Sequence, residues 1–224
     1  MRLALFDLDN TLLTGDSDYE WGQFMCDQGV VDRAAYEAQN RVYYGQYVDG
    51  TLDIHEYLGF ALRPLAAHSP EDLARWHAEF MESRIRPMIL PAARALVQRH
   101  LDAGDLCAII TATNSFVTAP IAREFGVEHL IATEPERVNG RFTGRVEGTP
   151  CFRGGKLVRL DEWLARRGRR LADFEASSCY SDSHNDLQLL ERVTRPVAVD
   201  PDETLAREAA HRGWERISLR MSSR

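Results

Sequence analysis

The sequence predicts an α/β fold, a Rossmann-like parallel sheet with helices on both faces and a helical block inserted after the first strand. Three observations predict it. Residues 2–8 (RLALFDL) form a short apolar run that stops at charge, the pattern of a buried strand at the start of the chain. From residue 91 onward, strand and helix patterns alternate, which favours parallel strands joined by helical crossovers. Residues 15–89 carry helix signals and no strand signal. We therefore expect a core domain of residues 1–14 and 90–224 and a helical cap domain of residues 15–89.

Each element has a local reason. Ser17 precedes WGQFM with Glu20 three residues on, a capping-box pattern for the first helix. Asp32 is placed to cap a second helix carrying Tyr36, Val42, Tyr43 and Tyr47. A third spans about 51–66. Ser69-Pro70-Glu71-Asp72 is a helix start, with cap, proline at the first helical position and early acid. That helix is expected to run to about Arg86. Residues 91–103 form a helix ending at Gly104, 105–111 a strand, and 116–125 a helix weakened by Pro120. Residues 129–133 read as a short strand. Residues 138–147 contain Asn139-Gly140, the strongest short-range hairpin signal. Then follow a helix over 156–167, a strand over 177–181, a helix over 186–193, a strand over 195–199, a helix over 202–211 and a closing strand over 214–219.

Composition narrows the function. The 224 residues include 27 Lys+Arg and 34 Asp+Glu, a net charge of −7. That balance argues against a nucleic-acid partner or an anionic membrane surface, both of which need a basic face. No apolar run reaches the roughly 18 residues of a spanning helix, and the N-terminus lacks the length and cleavage site of a secretory signal. Cys26, Cys107, Cys151 and Cys179 are widely spaced and form no CxxC pair. They read as reduced packing thiols of a cytoplasmic protein.

In open α/β sheets, ligands bind outside the carboxyl ends of the strands. Asp7 and Asp9 close the first strand. Asp182 closes a later one, and Asp186 follows it. Carboxylates converging on one point repel and tend to hold protons unless a divalent cation joins them, and hard oxygen ligands suit Mg²⁺. Asp9-Asn10-Thr11 also reads as an ordinary turn or cap. Thr111, in IITATN and at the end of the strand expected over 105–111, has a hydroxyl suited to a phosphate oxygen; helix capping is the other reading. Lys156 stands at a helix start, where the helix dipole prefers acid, so it is either a surface residue or a neutraliser of phosphate. In SDSHNDLQLL, Asp182 is a candidate ligand and Asp186 a candidate to hold a metal-bound water or orient Lys156. His184 has no second histidine at ligand spacing and reads as a surface or packing residue. Trp21, Phe24, Tyr43, Tyr44 and Tyr47 form either an aromatic pocket or a stripe of cap core.

Taken together and in this order, FDLDNTLLTGDSDYEWGQF, IITATN, GGK and SDSHNDLQLL resemble the four motifs of the haloacid dehalogenase (HAD) superfamily, and most closely its HAD-IB branch, which contains the phosphoserine phosphatases. The VNGRFTGRVEG hairpin is similar to that branch as well. The resemblance implies a Mg²⁺-dependent phosphatase acting on a small phosphate ester. Asp7 would be the nucleophile that forms an aspartyl-phosphate, and Asp9 the general acid and then base. Thr111 and the Ala112 amide would bind phosphate, Lys156 would orient it, and Asn185 would contact it. The metal would sit on Asp7, the Asp9 carbonyl and Asp182, with Asp186 behind. Two positions depart from the branch. Asp16 stands where phosphoserine phosphatases place a longer Glu against the substrate amine, and Arg63 is a loose match for the arginine that reads the substrate carboxylate. Histidinol phosphate is thus as good an expectation as phosphoserine. A phosphotransferase of the same fold and a non-catalytic phosphometabolite-binding protein are the alternatives. The expected partner is a small molecule, with the chain a monomer or homodimer.

Overall fold

The computed structural model describes residues 1–220. In chain order the elements are β1 (Leu3–Phe6), α1 (Ser17–Asp27), α2 (Arg33–Val48), α3 (Ile54–Ala61), α4 (Arg63–Ala67), α5 (Pro70–Phe80), α6 (Arg86–Met88) and α7 (Pro91–Asp102). Then come β2 (Leu106–Asn114), α8 (Ser115–Glu124), β3 (His129–Val138), β4 (Arg141–Glu147), α9 (Gly154–Ala165), β5 (Ser177–Ser181), α10 (Leu187–Leu190), β6 (Arg195–Val199), α11 (Glu203–Arg212) and β7 (Glu215–Ile217). No helix among the described residues is long and apolar enough to cross a membrane.

The strands form one sheet of seven in the order β4-β3-β2-β1-β5-β6-β7. All neighbours are parallel except β3 and β4. This is the α/β architecture expected. β1 lies in the middle and is buried on both faces. Its side chains alternate as the pleat requires. Ala4 and Phe6 join an apolar cluster with α1, α5, α7 and α8, whereas Leu3 and Leu5 join a second cluster with α9, α10 and α11. The chain moves outward from β1 through β2 to β3, then returns to β5 on the other side. That reversal opens a crevice beside the carboxyl end of β1, between the loops after β1 and β5.

Several elements differ from expectation for identifiable reasons. α1 is capped by Asp16, whose carboxylate accepts the N–H groups of Asp18 and Tyr19 at 2.9 Å; Ser17 is the first helical residue. A carboxylate is the stronger acceptor at a helix N-terminus. The expected helix over 51–66 is two pieces, capped by Asp53 and broken at Leu62, because Pro64 brings no N–H. The helix from Pro70 reaches Met88 by way of a π-helical turn, Met81–Ile85, in which the Arg86 N–H donates to the Met81 carbonyl. Such a turn absorbs the hydrogen bond that Pro87 cannot make. β3 is a single ten-residue strand that pairs with β2 up to Thr133 and with β4 from Glu134 onward. Pro135 lies within it and disguised its continuity. The Asn139-Gly140 turn is as expected, with φ of 51° and 80°, the primed geometry that matches strand twist.

The helices of residues 17–88 leave and rejoin the sheet side by side. Leu13 and Ile89 form an isolated antiparallel bridge, and the Thr14 N–H donates to the Met88 carbonyl at 3.0 Å. All four cysteines are buried and unpaired.

Candidate active site

Asp7 is the first residue after β1. Its N–H donates to the Tyr180 carbonyl of β5 at 2.9 Å, which pins it over the crevice, and it is 7% exposed. One Asp7 oxygen accepts from Lys156 Nζ at 2.9 Å. Lys156 also donates to Asp186 Oδ2 at 2.7 Å, and Ser181 Oγ donates to that same oxygen at 2.7 Å. Thr11 ties the loops after β1 and β5 together. Its hydroxyl donates to Asp182 Oδ1 at 2.8 Å and accepts the Asp182 N–H at 2.9 Å. Thr11 also lies 3.5 Å from Asp7 Oδ2. Lys156 gets there because α9 starts close against Pro150. A Cβ at Gly155 would stand 2.0 Å from the Pro150 carbonyl oxygen, so no other residue fits that turn.

Asp9 points to the other side of the crevice. Asn10, in the left-handed region with φ 60°, turns the chain sharply after it. Asp9 Oδ1 accepts the Ser17 N–H at 2.6 Å, and Oδ2 accepts from Thr113 Oγ1 at 2.8 Å and Thr111 Oγ1 at 3.3 Å. Thr111 in turn accepts the Thr113 N–H at 3.2 Å.

The electrostatics are those of too many carboxylates for one ammonium. Burial pushes the Asp7 carboxyl well up, with the Lys156 charge pulling against it. Burial also raises Asp182, and the Asp7 charge adds to it. Burial works against the Lys156 charge, but Asp186 and Asp7 outweigh it and hold the ammonium above the ordinary lysine range. Asp9 is raised to about 6 by burial and by the Asp16 charge. Asp186 is 2% exposed, yet its Oδ1 has no hydrogen-bond partner. An orphaned buried acceptor beside surplus negative charge marks a place for a donor or cation from outside the chain.

These groups form the floor of a cavity of about 1010 Å³, whose walls include Asp16, Asp18, Tyr43, Tyr44, Tyr47 and Tyr57. Of the residues expected at the site, Asp7, Asp9, Asp16, Thr111, Ala112, Lys156, Asp182, Asn185 and Asp186 all line it. Arg63 does not; it sits exposed at the start of α4. Asn185 is occupied by protein groups, accepting from Arg153 Nε at 3.0 Å and donating to the Tyr47 hydroxyl at 2.9 Å. His184 sits on the rim, bound through Nδ1 to Asp202 at 2.8 Å. The aromatic set divides. Trp21 and Phe24 pack in the core against Phe80, whereas Tyr43, Tyr44 and Tyr47 face the cavity. Asp18 and Tyr57 went unnoticed in the sequence. The Tyr57 hydroxyl donates to Asp18, which also accepts from Asn114 Nδ2 at 3.3 Å, and burial raises the Asp18 carboxyl to about 6. Only the acid in a helix first turn hinted at Asp18, and capping explained it equally well.

The pattern of the haloacid dehalogenase-like hydrolase family matches residues 4–191, a stretch that contains every floor residue. The chain belongs to this family. It is 47% identical over 220 residues to a histidinol-phosphatase of Neisseria meningitidis, covering 98% of this chain and 99% of that one. A phosphoserine phosphatase of Mycobacterium tuberculosis is 32% identical over 227 residues, covering 98% of this chain and 71% of its own. A Bordetella pertussis protein of unknown function has a solved structure that superposes with a TM-score of 0.94 at 55% identity, covering 98% of this chain and 99% of that one. A substrate-bound phosphoserine phosphatase shares the fold, with a TM-score of 0.68 at 19% identity over 96% of this chain and 91% of that one. The chain is a phosphatase of the haloacid dehalogenase family.

Proposed function

We propose that this HAD phosphatase hydrolyses a small, amine-bearing phosphomonoester through an aspartyl-phosphate on Asp7, with Mg²⁺ as cofactor. The observation that carries the reading is the convergence of Asp7, Lys156, Asp182 and Asp186 on one buried strand-end hollow, with a second carboxylate, Asp9, hydrogen-bonded on its far side. No three His, Cys, Asp or Glu side chains among the described residues form a ready metal cluster. The donor set still fits a hard divalent ion held by the Asp7 and Asp182 carboxylates and the Asp9 carbonyl. The partnerless Asp186 Oδ1 would be free to accept a hydrogen bond from a water accompanying such an ion. When bound, Mg²⁺ would neutralise phosphate charge and let Asp7 and Asp182 remain ionised together.

The chain's own groups account for the rest. An Asp7 oxygen attacks phosphorus as the ester P–O bond breaks. Lys156, held by two carboxylates, offsets charge on the phosphoryl oxygens. Asp9, with a carboxyl near 6, donates its proton to the departing alkoxide. The resulting carboxylate then takes a proton from the water that splits the aspartyl-phosphate, which restores Asp9 and frees Asp7 and phosphate. Thr111 and Thr113 orient Asp9 throughout. The helices of residues 15–89 act as a cap that shields this chemistry from bulk water.

The walls support a cationic substrate. Asp16 and Asp18 supply carboxylates, and the tyrosines supply ring faces that attract a cation. The chain's likeness to a histidinol-phosphatase points the same way, and Arg63, the side chain expected to read a substrate carboxylate, does not line the cavity. We therefore place histidinol phosphate ahead of phosphoserine. The test is phosphate release from histidinol phosphate, phosphoserine and p-nitrophenyl phosphate, with MgCl₂ and with EDTA. The expected order of kcat/KM is the order just given for the two natural esters, with activity lost in EDTA. Full activity in EDTA overturns the metal, and no release from any ester overturns the phosphatase reading.

A further inference from the structure

Arg153, the residue before α9, adopts φ 51° and ψ −123°. A side chain crowds the backbone there, and only glycine takes the region freely. The next two residues are glycines, yet position 153 keeps a long side chain. Such strain persists where surrounding contacts impose it, so what the side chain does there is informative.

The guanidinium spans two parts of the molecule. Arg153 Nε donates to Asn185 Oδ1 at 3.0 Å, and Nη1 donates to the Gly50 carbonyl at 3.3 Å, just past the end of α2. The group lies over the Phe152 ring at 4.9 Å. Asn185 closes the loop by donating to the Tyr47 hydroxyl near the end of the same helix, at 2.9 Å. Asn185 stands between Asp182 and Asp186 on one short loop. No residue of α2 is fully buried; Tyr36 and Tyr43 pack on Phe60 and Tyr57 farther up the helix, which leaves its end dependent on these polar ties.

We propose that Arg153 is a positioning residue, a latch that joins the end of α2 to the Asp182–Asp186 loop and closes the phosphate end of the cavity, with backbone strain accepted to aim it. Its structural consequence stands alone; its kinetic consequence rests on the phosphatase reading above. A guanidinium suits the task because its planar fork reaches two acceptors at once, which an ammonium on a flexible stem does less well.

The test compares Arg153→Gly, Arg153→Lys and Tyr47→Phe in the full chain by thermal unfolding, amide hydrogen exchange and kinetics on p-nitrophenyl phosphate. Arg153→Gly removes strain and latch together, so its Tm should equal or exceed that of the parent while exchange at residues 43–52 speeds by at least tenfold. KM should rise about tenfold, with a smaller change in kcat. Arg153→Lys should fall between the two in exchange and KM. A double variant carrying Arg153→Gly and Tyr47→Phe should differ little from Arg153→Gly alone, because both break one shared unit. A residue that only supports the fold would instead lower Tm on substitution by glycine. Parental exchange at 43–52 and parental KM in Arg153→Gly overturn the proposal. If that variant does not fold, parental values in Arg153→Lys overturn it. A parent that hydrolyses nothing, with exchange still accelerated in the variants, keeps the latch and removes the phosphatase reading.

Discussion

The cavity has two kinds of wall, and they are built on opposite principles. Its floor is made from strand ends and the start of α9. Asp7 is pinned to β5 by a backbone hydrogen bond, Asp182 is gripped twice by Thr11, and Lys156 and Asp186 are each at most 4% exposed. Most of its upper wall is α2, which buries no residue and leaves Tyr44 67% and Val48 63% exposed, with Asp18 of α1 and Tyr57 of α3 completing it. Strand ends in a seven-stranded sheet cannot shift without breaking ladders on both sides, so the side chains they carry are held in fixed positions. A helix held by a few polar ties and tyrosine contacts can adjust to what it covers. The division suggests where each kind of mutation will register, on rate at the floor and on selectivity at the wall.

The largest effect belongs to the floor. Asp7→Asn should lower turnover by at least about 10³-fold with Tm nearly unchanged, measured as phosphate release from p-nitrophenyl phosphate. Retention of a tenth of the activity would break the comparison at its base. Lys156→Met comes next. It leaves Asp7 and Asp186 buried without their cation and should cost about 3 kcal/mol at pH 7.5 by chemical denaturation. The loss should shrink at pH 5, where the raised Asp7 carboxyl takes up a proton.

At the wall, Asp18→Asn should raise KM for histidinol phosphate about tenfold and leave p-nitrophenyl phosphate within twofold, since only the former offers a cation. The same variant gives a pH test. The Asp18 carboxyl lies near 6 in the folded chain, against an ordinary 3.8. Its contribution to stability is therefore fully present below about pH 4 and is lost as pH rises through 6. The neutral Asn has no such loss, so the Tm of the metal-free variant relative to the parent should increase from pH 5 to pH 7.5. A difference that stays flat would show that Asp18 is not held protonated. The smallest effect is that of Tyr44→Ala, which should change stability by less than about 0.5 kcal/mol because the ring is exposed, while KM for the preferred ester moves a few-fold.

The floor was legible in the sequence because strand ends are. An apolar run that stops at Asp7 and another that stops before Asp182 each announce a side chain delivered to the same edge of the sheet; the end expected at Thr111 falls short, because β2 continues to Asn114. Lys156 was legible as a charge misplaced for its helix. Orientation was not legible. Asp7 and Asp9 are two residues apart, and only the left-handed turn at Asn10 sends them to different partners. The wall was harder to read, since its ties span long separations. Tyr57 meets Asp18 across 39 positions and Tyr47 meets Asn185 across 138, and neither pairing leaves a local signal. Arg63 is only a loose match to the arginine that the resemblance implies, and beyond the break at Leu62 it stands exposed and does not line the cavity. In the sheet, Pro135 concealed one strand that serves two partners of opposite direction.

The bridge between Leu13 and Ile89 has a consequence for how such a molecule can change over time. The polypeptide departs from the sheet and comes back at adjacent points, so the length of chain between them is not fixed by the positions of β1 and β2. An ancestral fold with that junction can trade one roof for another as a single module, and an engineer can transplant the roof of a relative by cutting at two neighbouring sites.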